Sequence, residues 1–211
     1  MTKDDKMSTL KLHYFAARGF GEYIRLLFVD NDINFEDVRY EIGGKEWKEM
    51  KPKMIFGHMP CLKGDGLEIV ETGAIMRFLG RKFDLNGSND EDVYFLDMFF
   101  EGSRDIRYTF SFERTEEDYL TKTLPDGLQK LENLFKIHPG DFILGDKISY
   151  VDYSLFEELD VYHHWSKGIL DKFPALKEFY ENMWKRPNLK EYLEKRTADK
   201  IPLSATFEGN Y

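Results

Sequence analysis

The sequence predicts an α+β protein, a small mixed sheet threaded with helices and followed by an all-helical part. Strand and helix signals alternate through roughly the first eighty residues in the order β-α-β-α-β-β-α. Beyond Asn89 strand signals nearly vanish and apolar helical faces take over. Between the two, Phe83-Asp84-Leu85-Asn86-Gly87-Ser88-Asn89 gathers the polar turn residues of a boundary.

Leu10–Phe15 is a short β-prone run. Gly21–Asn31 carries Ile24, Leu27 and Phe28 at helical spacing. Val38, Tyr40 and Ile42 alternate with charged residues, as on a half-buried strand. Trp47–Met50 reads as a short helical or irregular stretch. Pro60–Lys63 and Leu67–Val70 flank Gly64-Asp65-Gly66, a tight hairpin, because Asp-Gly supplies the positive φ angles such a turn needs. Thr72 is expected to cap a helix containing Ile75, Met76 and Leu79. Val93, Leu96, Phe99 and Phe100 form the first face of the helical part. Leu120, Leu124, Leu128, Leu131, Leu134 and Phe135 form a longer one, with Pro125 in its first turn or at a kink. Tyr150–Trp165 is a third helix, apolar apart from its charges. Shorter helices follow over Ala175–Trp184 and Leu189–Arg196. The expected division is a frayed extension over 1–9, a first domain over 10–83, a linker over 84–89 and an all-α domain over 90–211.

Composition narrows the function. Hydrophobic residues are 42%, charged residues 33% and aromatic residues 16%, which is globular. One cysteine excludes an internal disulfide framework and any multi-thiolate metal site. Net charge is −9, which repels phosphate backbones and anionic membranes, so neither nucleic acid nor membrane is an expected partner. The charged start lacks an apolar signal core, and no apolar run approaches membrane-spanning length. A soluble cytoplasmic protein is expected.

Most local motifs have structural readings. Gly19-Phe20-Gly21 follows a strand and opens a helix, but Ile24 stands where a dinucleotide fingerprint wants its third glycine. A tight strand-to-helix turn is the better reading. His13, His58, His138, His163 and His164 form no i, i+4 pair, so no metal site is expected. Cys61 reads as a small buried hydrophobe. Ser149 and Asp152 have capping-box spacing. Met59-Pro60, opening a strand after Gly57, is a candidate cis peptide, and such a bend exposes the Met59 amide and carbonyl to strand-like pairing with a bound peptide.

From Leu10 onward the chain resembles a cytosolic glutathione transferase. The resemblance rests on Tyr14-Phe15 with Arg18-Gly19, Trp47 and Lys51, Gly57-His58-Met59-Pro60, Glu71-Thr72, Leu96-Asp97-Met98, Gly102, Asp105, Gly145-Asp146 with Ser149 and Asp152, and Arg186-Pro187. The C-terminal half is most similar to the pi class. The short Trp47-to-Lys51 spacing resembles the sigma class, which includes prostaglandin isomerases. The resemblance implies a thioredoxin-like βαβαββα domain before the all-α domain, and a homodimer. It implies glutathione as co-substrate, with no further cofactor and no metal, and conjugation to hydrophobic electrophiles, with peroxide reduction by the same thiolate. Tyr14 matches the hydroxyl that donates to the sulfur. A phenol near pKa 10 keeps its proton at pH 7, and a donor aimed at an anion favours the thiolate.

The resemblance also assigns the peptide site. Met59, before Pro60, pairs with the cysteinyl backbone, Glu71 and Thr72 meet the γ-glutamyl end, and Asp105 reaches its amine from the partner subunit. Trp47 and Lys51 meet the glycyl carboxylate. Phe56 is an aromatic key entering the partner near Met98, Phe99 and Gly102. Phe15 and Ala17 line the second-substrate pocket, with Tyr108, Phe110 and Phe112 as further candidates. Two departures stand out. Phe20 sits where many members carry Arg, and His58 and Glu71 stand where Gln is common. The rival readings are a sigma-like prostaglandin isomerase and a non-catalytic ligand-binding or structural protein on the same fold.

Overall fold

A computed structural model describes residues 9–110 and 115–204. Residues 1–8 of the expected frayed extension, and Phe112, lie outside these residues.

The expected order of elements is present. Strand β1 (Leu10–Phe15) leads to α1 (Gly21–Asp30), β2 (Phe35–Tyr40), α2 (Lys45–Met50), the hairpin β3 (Cys61–Gly64) and β4 (Leu67–Val70), and α3 (Thr72–Lys82). The sheet order is β2-β1-β3-β4, with β1 parallel to β2 and antiparallel to β3. The hairpin turns at Asp65 (φ +52°) and Gly66 (φ +75°), the pair of left-handed residues that matches strand twist. Two expectations need correction. Ile42 lies beyond the end of β2 and is exposed, because pairing with β1 stops at Tyr40. Thr72 is the first helical residue of α3 rather than its cap. The chain reverses at Glu71, whose carbonyl accepts the Ile75 N–H at 2.9 Å.

The helical part comprises α4 (Asp90–Thr109), a single turn α5 (Glu116–Asp118), α6 (Leu124–Phe135), α7 (Tyr150–Trp165), α8 (Pro174–Trp184) and α9 (Pro187–Ala198). The long face from Leu120 to Phe135 is broken. A wide π-type turn over Tyr119–Thr123 precedes α6 and leaves Pro125 in the first turn of α6. Asn89 caps α4 by accepting the Asp92 N–H at 2.9 Å. Asp152 closes the capping box of α7, taking the Ser149 N–H at 2.7 Å and the Ile143 N–H at 2.9 Å.

One apolar core joins β1, α1 and α3 to α4, α6, α7 and α8. A smaller cluster on the sheet gathers Tyr14, Tyr40, Trp47, Met54, Met59, Cys61 and Val70. Burial pushes the Cys61 thiol up to about 11, which fits an inert core residue. Among the described residues no helix is long and apolar enough to cross a membrane.

Candidate functional site

Tyr14 sits near the end of β1 with its ring against two glycines. A Cβ on Gly19 would lie 2.5 Å from the Tyr14 hydroxyl, and one on Gly21 2.5 Å from its ring. Gly19 also has φ +46°. The glycine pair that suggests nucleotide binding is therefore the mould of this tyrosine. The Tyr14 oxygen accepts the Phe20 N–H at 3.0 Å. Burial pushes its pKa above the usual value near 10, although the Phe20 N–H pulls the other way. The phenol is thus protonated at neutral pH, and its own O–H is available to a further acceptor.

Other expected residues gather around it. The Phe15 ring meets Trp47 edge-on at 5.3 Å. Trp47, on α2, is buried beside Tyr40 in the same cluster as Tyr14 and Met59. The Met59-Pro60 peptide is cis. Among the described residues, no backbone group bonds the Met59 N–H or C=O. Lys51 is exposed, with its stem beside Gly57. His58 Nε2 and Glu71 Oε1 lie 2.6 Å apart, so the two residues that stand where Gln is common pair with each other. Glu71 holds φ +71°, an unusual backbone for a residue with a side chain, at the start of α3 beside buried Thr72.

Other residues do not join this group. Ala17 is fully buried and offers no pocket surface; its carbonyl accepts Arg25 Nη1 at 2.8 Å. Phe110 turns into the helical layer, 5.2 Å from both Tyr119 and Trp165. Tyr108 remains at the surface, 43% exposed and 5.7 Å from the Phe20 ring. Asp105 is exposed on α4, in one stripe with Met98 and Gly102. Phe56 is 64% exposed and Met98 50%, and a Cβ on Gly102 would meet open space. Phe99 departs from expectation. It is fully buried against Phe95 in the chain's own core and has no surface to give a partner.

Family models match both halves of the chain. One described as glutathione S-transferase, N-terminal domain, covers residues 10–81. Another, described as glutathione S-transferase, C-terminal domain, covers 104–196. The chain belongs to the glutathione S-transferase family. Glutathione S-transferase P 10 of Caenorhabditis elegans is 61% identical over 208 residues, covering 96% of this chain and 99% of the relative. A pi-class glutathione S-transferase of Onchocerca volvulus has a solved structure with TM-score 0.89 and 43% identity, covering 96% and 100%. A sigma-class transferase of Fasciola hepatica gives 0.80 and 29%, covering 90% and 97%. Both measures rank the pi-class structure above the sigma-class one. An enzyme of glutathione transfer is thereby favoured over an isomerase or a non-catalytic carrier.

Sequence reasoning missed the buried ionic cluster that holds the segment packed around Tyr14. Arg18 forks onto Glu157, with Nε–Oε1 2.9 Å and Nη2–Oε2 2.8 Å, and also reaches Asp160. Arg196 bonds Glu22, Glu157 and Asp160 at 2.8–3.0 Å. Arg25 bonds Glu22 and the carbonyls of Phe15 and Ala17. Burial opposes ionisation of Glu22 and Asp160, but the guanidinium groups outweigh it and hold both carboxyls down at about 2. The signal for this cluster was in α7, where four acids interrupt an otherwise apolar run.

Proposed function

We propose that this transferase conjugates the glutathione thiolate to small hydrophobic electrophiles, with Tyr14 as hydrogen-bond donor to the sulfur. The observation that carries the assignment is the direction of the hydrogen bond at Tyr14. Its oxygen already accepts from Phe20 N–H, which leaves the hydroxyl proton for the substrate. The tripeptide lies extended along the free Met59 backbone. Its γ-glutamyl end meets Glu71 and Thr72, where the first amides of α3 favour a carboxylate. Its glycyl carboxylate meets Trp47 and Lys51. The His58 contact supports tolerance of Glu71 beside that peptide, because it places a partner on the carboxylate.

The bound thiol releases its proton to solvent. A sulfur lone pair then forms the C–S bond as the leaving group departs with its bonding pair. With a conjugated alkene, the carbanion formed takes a proton from water. With a hydroperoxide as electrophile, two glutathiones reduce it to alcohol and water and end as the disulfide. Phe15 and Tyr108 are the aromatic walls offered to the electrophile. The enzyme acts in the cytoplasm as a homodimer, with glutathione as co-substrate and no further cofactor.

An ultraviolet difference titration of bound glutathione against pH tests the thiol site. The thiolate band is expected well below the free thiol pKa of about 8.5. Binding with an unshifted thiol, or no binding, refutes the reading.

The exposed stripe Met98–Gly102–Asp105, and Phe56 projecting from the first domain, support completion of the site across a dimer. Asp105→Ala is expected to raise the glutathione KM about 10-fold, the loss of one charge-assisted hydrogen bond. An unchanged KM, or a monomer by sedimentation at assay concentration, removes that role.

A further inference from the structure

Position 20 lacks the cation that many family members carry there, yet two guanidinium groups lie over its ring: Arg107, at 5.1 Å, is engaged by buried Glu158 at 2.9 Å, and Arg104 is the other. Arg104, on α4, lies with its guanidinium carbon 5.4 Å from the Phe20 ring, 5.4 Å from Phe100 and 5.5 Å from Tyr108. Its Nη2 donates to the Tyr108 hydroxyl at 3.1 Å. A Cβ on Gly73, the second residue of α3, would sit 3.6 Å from its Nη1, so the group stands at the helix start beside Thr72.

Its charge is poorly neutralised. Glu101 Oε2 is 3.6 Å from Nη1, and Nε is buried without a hydrogen-bond partner. Arg77 also approaches Gly73, but Asp97 at 2.8 Å and Glu101 both engage it. Aromatic faces hold a guanidinium by its plane and do not cancel its charge. The edge donors keep the fork geometry that suits a carboxylate.

We infer that Arg104 is a specificity residue of the transferase. It binds the α-carboxylate of the γ-glutamyl group in place of a cation at position 20. The inference rests on glutathione lying as proposed above, with its γ-glutamyl end at the start of α3.

The test compares glutathione with 4-aminobutyryl-cysteinyl-glycine, which lacks only that carboxylate. Dissociation constants are measured for wild type, Arg104→Gln, Arg104→Lys and the double variant Phe20→Arg/Arg104→Gln. Wild type is expected to bind the analogue about 10- to 100-fold more weakly than glutathione, the range for a hydrogen-bonded charge. In Arg104→Gln, glutathione weakens by that factor while the analogue does not, so the ratio falls toward one. Arg104→Lys retains part of the ratio, and Phe20→Arg in the Gln background restores it. A purely structural role weakens both ligands in parallel and leaves the ratio intact, which overturns the inference. So does a wild type that binds both ligands equally. A wild type that binds neither overturns the glutathione reading itself.

Discussion

Tyr14→Phe is expected to slow conjugation while leaving glutathione affinity nearly unchanged, with a deficit that grows as pH falls. The assigned binding contacts lie along the peptide, at Met59, Thr72, Trp47 and Lys51, and the substitution touches none of them. What is lost is the proposed donor to the thiolate, together with the acceptor of the Phe20 N–H. A thiol lowered from about 8.5 to about 6.5 by its surroundings gains about 25-fold in thiolate at pH 7. Lower basicity costs nucleophilicity with a slope of about 0.45, so two units lose about 8-fold. The net benefit is about threefold at pH 7 and about tenfold near pH 5.5, where the free thiol hardly ionises. Any loss in orientation of the sulfur adds a factor that does not vary with pH. Rate profiles of both proteins therefore separate the two effects. Above the free thiol pKa both sulfurs are ionised and lower basicity alone makes the wild type about 8-fold slower, so the rate ratio there, corrected by that factor, measures orientation, while the growth of the deficit at low pH measures thiolate population. Equal turnover at every pH would remove Tyr14 from the mechanism. The modest threefold term also means that the electrophile side of the site, proposed to be walled by Phe15 and Tyr108, carries much of any larger acceleration.

Much of this molecule is legible in its residues because the relevant signals are local. The Asp65-Gly66 turn, the Ser149–Asp152 cap and the Tyr150–Trp165 helix each follow from short-range chemistry, and the structure contains each of them. The gathering of Tyr14, Trp47 and Met59 was legible only as a family pattern. Spacing along a chain does not say which loops a sheet brings together. Where expectation failed, tertiary packing decided. Ala17 and Phe110 belong to apolar or bonded interiors that their neighbours in sequence do not reveal. Phe99 shares an apolar face with Leu96 and Phe100, and that face is turned inward. Phe20 looked like a missing charge, and only the approach of α4 brings Arg104 above it. The pairing of His58 with Glu71 crosses from the loop before β3 to the start of α3, beyond the reach of any local pattern.

Arg18→Ala is expected to be strongly destabilising, costing about 3–5 kcal/mol, the range for breaking a buried ion pair. Arg18 is buried and neutralises Glu157 and Asp160, both without solvent exposure. Its removal leaves carboxylates that no water can reach, with Arg196 the remaining cation on both. For a chain of this size that corresponds to a melting temperature lower by about 6–20 °C. The deficit depends on pH in a defined direction. In the wild type the depressed carboxyls, Glu22 and Asp160, contribute stability above their unfolded pKa values of about 4, and that contribution fades as pH falls toward about 2. In the variant, desolvation raises the stranded carboxyls, which take up protons as pH falls and recover neutrality. The gap between the two proteins is therefore widest near pH 7 and narrows below about pH 5. Urea unfolding at both pH values reads it directly. A change under about 1 kcal/mol would class the contact with ordinary surface pairs. The same arginine links stability to chemistry through its backbone. Arg18 N–H donates to the Pro202 carbonyl at 2.8 Å and Gly19 N–H to the Leu203 carbonyl at 2.9 Å. The segment that moulds Tyr14 is thus pinned by α7 on its side-chain side and by the chain after α9 on its backbone side. Loosening Arg18 is expected to lower turnover well below the melting transition, because the mould around Tyr14 gives way before the core does.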